Sequence, residues 1–168
     1  MRSTATISER DLEILRALTE PGLIHKVDKA KHIYLIGSLR NPRIRDLGVI
    51  LRAEGHTVFD DWHGAGPDAD DHWQKYEQAR GRNYQDALQG YLARHTFHFD
   101  YEHLERADIA VLVAPAGKSA HLELGFCIGR GKRGYVLLDG EPERWDVMYC
   151  FADGVFYNEP DLLEVLAQ

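Results

Sequence analysis

Ile33-Tyr34-Leu35-Ile36-Gly37-Ser38-Leu39-Arg40-Asn41-Pro42 joins an apolar run to a glycine, a polar turn and a helix start within ten residues. Four consecutive apolar side chains suit a strand covered on both faces of a sheet. Gly37 closes that strand; Asn41 as N-cap and Pro42 at the first helical position open a helix. Ile44, Leu47 and Leu51 form its inward stripe, and Gly55 ends it. The alternation then continues along the chain. Residues 56–60, 109–114, 135–138 and 155–157 are further short apolar strands, while residues 121–128, stopped at Gly129-Arg130-Gly131, and 162–166 read as helices. Strands alternating with helices predict an α/β fold with a doubly wound parallel sheet of about five strands. Ligands bind such sheets outside the carboxyl ends of the strands, where the strand order switches. The binding edge is therefore expected at residues 37–40, 60–62, 115–119 and 139–141.

Residues 62–107 interrupt the rhythm between the second and third strands. This insertion opens on Gly64-Ala65-Gly66-Pro67-Asp68-Ala69-Asp70-Asp71, and two helices are predicted after it, over 73–80 and 83–106, divided by Gly81. Tyr84, Leu88, Tyr91, Leu92 and His95 make a helical stripe on the second. A connection of this length exceeds what topology needs and is expected to shape a pocket. Ahead of the first strand, residues 7–18 predict a short amphipathic helix with Ser8 as its cap, followed by Pro21-Gly22 and a charged linker. The expected organisation is an N-terminal helix and linker over 1–30 and a single α/β domain over 31–168. The N-terminal helix is expected to pack on the body or on a second subunit.

Composition narrows the partners. The 168 residues are enough to bury a real core, with 44% hydrophobic and 28% charged residues. The apolar runs are too short to span a bilayer, and Met1-Arg2-Ser3-Thr4 leads into a polar stretch, so neither a membrane partner nor a secretory signal is expected. Cys127 and Cys150 sit in apolar contexts and read as buried, reduced thiols of a cytoplasmic protein. A net charge of −7 argues against a nucleic-acid polymer, which selects clustered cations. Arg40, Arg43 and Arg45, three cations in six residues, still suffice for one small phosphate. His95, His98 and His103 lie on one predicted helix, but no further ligand stands at a recognisable spacing, and neither a metal nor another cofactor is expected.

The strongest chemical signal is Ser119-Ala120-His121-Leu122-Glu123-Leu124-Gly125. With Ser119 as cap, Glu123 falls within or just past the first helical turn, where the helix dipole favours a carboxylate by roughly 0.3–1 kcal/mol. Glu123 is then ionised and ready to attack an electrophilic carbon; an ordinary dipole-stabilising glutamate is the alternative that spacing leaves open. Asp100 follows His95-Thr96-Phe97-His98-Phe99. A carboxyl among aromatic rings can have its pKa raised enough to act as an acid, although a solvated helix carboxylate fits the same pattern. Glycosidic-bond cleavage uses such a pair, one group at the anomeric carbon and one protonating the leaving group. Gly37, Ser38 and Arg40 form a strand-to-helix turn that is neither GxGxxG nor a P-loop, yet its backbone N–H groups would suit a phosphate. Asp60, Asp61 and Trp62 end the second strand, where the tryptophan either stacks on a base or packs as a lid on the insertion.

Taken together, these pieces resemble the nucleoside 2-deoxyribosyltransferase superfamily. The matching elements, in order, are Ile33-Tyr34-Leu35-Ile36-Gly37-Ser38, Asp60-Asp61-Trp62, Phe99-Asp100 eight residues before Ala107-Asp108, and Leu122-Glu123-Leu124-Gly125 followed by Gly131-Lys132. The resemblance runs from about Lys31 to the C-terminus. It implies a flavodoxin-like domain and a retaining double displacement, with Glu123 attacking C1′ of the sugar and Asp100 supplying the proton to the departing base. It further implies that Tyr34 orients the nucleophile, that Trp62 contacts the base, and that pockets are completed across subunits of a homo-oligomer, a dimer or larger. Two departures stand out. Ser119 and His121 occupy positions where the family commonly has small residues, and Gly117 replaces an aspartate that some transferases place six residues before the nucleophile. His121 could narrow the sugar pocket or supply a proton. Gly37-Ser38-Leu39-Arg40 is closer to the Gly-Ser-Ile-Arg phosphate turn of the nucleoside 5′-monophosphate N-glycosidase branch.

The substrate expected is therefore a (deoxy)nucleoside or its 5′-monophosphate. Two other functions compete. One is NAD cleavage of the Toll/interleukin-receptor type, which pairs a similar fold plan with a catalytic glutamate. The other is a nucleotide-binding sensor that has lost catalysis, for which His121 is the main argument.

Overall fold

The computed structural model describes residues 29–168; the helix expected over residues 7–18 lies outside them. Five strands, β1 (His32–Ile36), β2 (Thr57–Phe59), β3 (Ile109–Val113), β4 (Arg133–Leu137) and β5 (Gly154–Phe156), form one sheet in the order β2-β1-β3-β4-β5. Every neighbouring pair is parallel. This is the flavodoxin-like order, whose switch point lies between the carboxyl ends of β1 and β3. Among the described residues six helices accompany the sheet: α1 (Arg43–Glu54), α2 (Ala69–Ala79), α3 (Tyr84–Leu88), α4 (Tyr91–Arg106), α5 (Lys118–Gly129) and α6 (Glu159–Leu166).

Successive side chains of a strand point to opposite faces, and β1 divides accordingly. Ile33 and Leu35 join Ile44, Leu47 and Leu51 of α1 and Leu162, Leu163 and Leu166 of α6 in one core layer. Tyr34 and Ile36 join Leu104 of α4 and Ala120, Leu124 and Cys127 of α5 in the other. The strands at the centre are buried on both faces, which is why they read as unbroken apolar runs. No described helix is long and apolar enough to cross a membrane.

Several expectations need correction. Helix α1 starts one residue later than expected: Pro42 is its N-cap, and the Asn41 side chain accepts a hydrogen bond from the Arg43 N–H at 3.1 Å. The helix expected over 83–106 is two, α3 and α4, because Gly90 turns the chain so tightly that an added Cβ would lie 2.9 Å from the Ala87 carbonyl oxygen. The stripe of Tyr84, Leu88, Tyr91 and Leu92 faces outward, each residue being exposed; Ala87 and Leu104 make the buried contacts of this pair of helices. Cys127 is buried, but Cys150 is exposed, since it sits on the 3-10 turn Val147–Phe151 that bridges β4 and β5 outside the core.

Candidate active site

The second core layer holds the chemistry. Tyr34 projects from β1 on the face covered by α4 and α5, and is 1% exposed. Asp100 comes from α4 and Glu123 from α5, both half-buried. Burial, reinforced by the charge of Asp100, pushes the Glu123 carboxyl up to about 7. Burial alone pushes Asp100 up to about 6, and one of its oxygens, Oδ1, is enclosed without a hydrogen-bond partner. The Tyr34 phenol is raised by burial first, then by Glu123 and Asp100, so it remains a neutral O–H donor. Three sequence candidates, from three separate elements, thus act on one another electrostatically.

The ionisation expected of Glu123 needs correction. Gly117 is the N-cap of α5, not Ser119, and Glu123 is the sixth helical residue, beyond the first turn where the dipole is strongest. Burial outweighs the dipole there. Asp100 and Glu123 therefore both retain protons well above the ordinary carboxyl range. Neighbours that sequence reading passed over complete the layer. Phe59 tilts against Tyr34 at 5.0 Å between ring centroids and stacks on His103 at 3.7 Å. Cys127, one turn beyond Glu123, is pushed up to about 11 chiefly by burial; the i, i+4 spacing was the signal for it. A cavity of about 320 Å³ borders Tyr34, with Phe59, Asp61 and His103 among its walls.

With that geometry established, comparison with known proteins bears on the fold. No family model and no curated protein matches the chain. A 2-deoxyribosyltransferase from Bacillus psychrosaccharolyticus superposes with a TM-score of 0.57 at 20% identity, over 79% of this chain and 90% of that one. The fold is the one that deoxyribosyltransferase adopts. A CMP N-glycosidase of Clostridium botulinum aligns with a TM-score of 0.46 at 19% identity, over 82% of this chain and 100% of that one.

The remaining candidates lie around the carboxyl edge, and the side chains of Trp62, Asp60, Arg40 and His121 are already engaged. Trp62 packs against both core layers and donates its indole N–H to the Leu35 carbonyl at 2.8 Å, so that group is not directed at a ligand. Asp60 is paired with Arg52 at the end of α1. Gly48 makes room for it, since an added Cβ would lie 2.2 Å from Asp60 Oδ2. Asp61 is exposed on the 3-10 turn Asp61–Ala65.

In the Gly37–Arg40 turn, the Ser38 hydroxyl accepts from the Arg40 backbone N–H at 3.2 Å, and the Arg40 side chain pairs with Asp71 at 2.9 Å. Arg43 is committed to the carbonyls of Ala114 and Leu138 and to Glu159. Ser119 is exposed one helical turn before Glu123. His121 lies two residues from Glu123, hence on the opposite side of α5. Its Nδ1 is 2.8 Å from the Gly117 carbonyl and so carries the proton, leaving Nε2 to accept from the Tyr149 hydroxyl at 2.9 Å. Both residues line a largely apolar groove of about 560 Å³ between α5 and residues 146–152. The structure thus brings Tyr34, Asp100 and Glu123 together and turns His121 away from them.

Proposed function

We propose that the chain is an enzyme of the nucleoside 2-deoxyribosyltransferase superfamily that cleaves or transfers the N-glycosidic bond of a (deoxy)nucleoside or its 5′-monophosphate. The observation that carries this reading is that two half-buried carboxyls, Glu123 and Asp100, are both raised and act electrostatically on the neutral Tyr34 phenol of β1 in a flavodoxin-like sheet. Two carboxyls with raised pKa values can divide one proton between an attacking carboxylate and an acid. Glu123 attacks C1′ of the sugar as the C1′–N bond breaks, and Asp100 delivers its proton to the departing base. Water, or a second base, then displaces Glu123 from the glycosyl-enzyme, with Asp100 taking the proton back. Tyr34 donates to the Glu123 carboxylate and favours its charged form. The turn at Gly37, Ser38 and Arg40 faces the 5′ end of the sugar, and Ser119 flanks the nucleophile on the same helix face. The chemistry needs no cofactor. The outward aromatic face of α3 and α4 fits a homo-oligomer, and two free cysteines fit a cytoplasmic setting.

A panel of nucleosides, their 5′-monophosphates and NAD, read as free base by chromatography, tests the proposal. Base release from a nucleoside or monophosphate is expected, and Glu123→Ala should lower kcat by roughly 10³-fold or more, as loss of a covalent nucleophile does. Base exchange with an added acceptor marks a transferase, and release in water alone marks a hydrolase. Undiminished base release by Glu123→Ala, or release from NAD alone, sinks the reading.

A further inference from the structure

The Gly37–Arg40 turn offers one outward cation, and the protein already occupies it. Arg43, the next arginine, is bound to two backbone carbonyls and Glu159 and serves to tie α1 to the ends of β3 and β4. Arg40 is the one left to meet an anion at this turn, and its Nη2 lies 2.9 Å from Asp71 Oδ2. Asp71 stands 31 residues further on, in the first turn of α2, where the helix dipole favours a negative side chain. Asp70 beside it adds a second negative charge to the same turn. A carboxylate on a guanidinium makes the same charge-assisted contact that a phosphate oxygen would make.

From this we infer that Asp71 is a specificity-determining residue: it takes the anion position on Arg40 and turns the site toward substrates whose 5′ end is an uncharged hydroxyl. The inference rests on the proposed N-glycosidic activity and narrows its substrate to nucleosides over nucleoside 5′-monophosphates. A 5′-phosphate would have to displace Asp71 and then sit against its charge. A 5′-hydroxyl needs neither and leaves the ion pair standing. Both side chains are about half-exposed, 61% for Arg40 and 50% for Asp71. The pair is accordingly a modest barrier, to be read as a shift in preference.

The test compares deoxyadenosine with deoxyadenosine 5′-monophosphate on the full chain. Asp71→Asn keeps an oxygen near Arg40 without the charge, and Asp71→Ala removes the contact. Both should raise the monophosphate-to-nucleoside ratio of kcat/KM by roughly fivefold, the scale of one exposed ion pair. Adding Arg40→Ala should erase the gain. Binding of the same two ligands, measured by calorimetry in a Glu123→Gln background, gives a readout independent of turnover, and the same shift in ratio is expected there. An unchanged ratio in both variants, a gain that survives loss of Arg40, or binding of neither ligand overturns the inference. If Asp71→Asn gains monophosphate affinity while the wild-type chain releases no base, the enzymatic reading fails and the role of Asp71 stands.

Discussion

A carboxyl enclosed among apolar side chains resists ionising because charge is poorly solvated there, and Glu123 and Asp100 both carry that burden. Both are raised, to about 7 and about 6, so protons persist on them toward neutral pH, and the proposed double displacement needs the charge on Glu123 and the proton on Asp100. On the proposed mechanism the neutral Tyr34 phenol donates to the charged Glu123 and favours that arrangement. The raised values also fix how stability depends on pH. The folded state keeps a proton on Glu123 that the unfolded chain releases near pH 4.5, so this group's contribution to stability is most favourable below that value and is lost as pH rises through about 7. Glu123→Gln removes this group's share. The variant should match the wild type near pH 4 and exceed it by roughly 1–3 kcal/mol at pH 8 in urea unfolding. A variant no more stable than wild type at pH 8 contradicts the burial of Glu123 in a poorly solvating layer.

Elements set these residues in place, and Asn41 is the joint that positions α1 against the sheet. It is 3% exposed, its Oδ1 caps the Arg43 N–H, and its Nδ2 donates to the carbonyls of Val113 and Ala114 at 3.1 and 3.0 Å. Asn41→Ala should cost roughly 1–3 kcal/mol, from a lost cap and the buried Val113 carbonyl deprived of this donor, while the Ala114 carbonyl keeps Arg43. Asn41→Asp retains the cap acceptor but sets a carboxylate against two carbonyls, so it should be no more stable than Asn41→Ala in the same unfolding assay. Recovery by Asp would reduce Asn41 to a simple cap. The strands and α1 were legible because burial on two faces and helix-start chemistry are written locally, as in Ile33 to Ile36 and in Asn41-Pro42. The break between α3 and α4 was hidden because Tyr84, Leu88, Tyr91 and Leu92 keep helical spacing straight across Gly90, and that stripe turned out to face outward. At the site, Tyr34, Asp100 and Glu123 could be named from pattern and resemblance. Their shared layer depends on which face α4 covers. Trp62 on Leu35, 27 residues away, and Arg40 on Asp71, 31 away, are partnerships that only the folded chain creates.

At the scale of the whole molecule, the negative charge and the exposed aromatic face push in different directions. A net charge of −7 keeps the chain from polyanions and disperses copies of it at low salt. Yet Tyr84, Leu88, Tyr91, Leu92 and Phe97 stand outward on α3 and α4, with Tyr91 86% exposed. Large apolar side chains exposed in such number on two adjoining helices suit a contact face. On the proposed self-association a second copy covers it, since one patch pairing with itself closes a two-fold dimer without further sites. Light scattering on the purified chain at micromolar concentration should then return at least twice the monomer mass. Tyr91→Asp should return the monomer mass with little change in urea unfolding of the separated chain, because an 86% exposed side chain contributes little to folding the single copy. A wild-type chain that is already monomeric, or an oligomer indifferent to Tyr91→Asp, removes the second copy from this face.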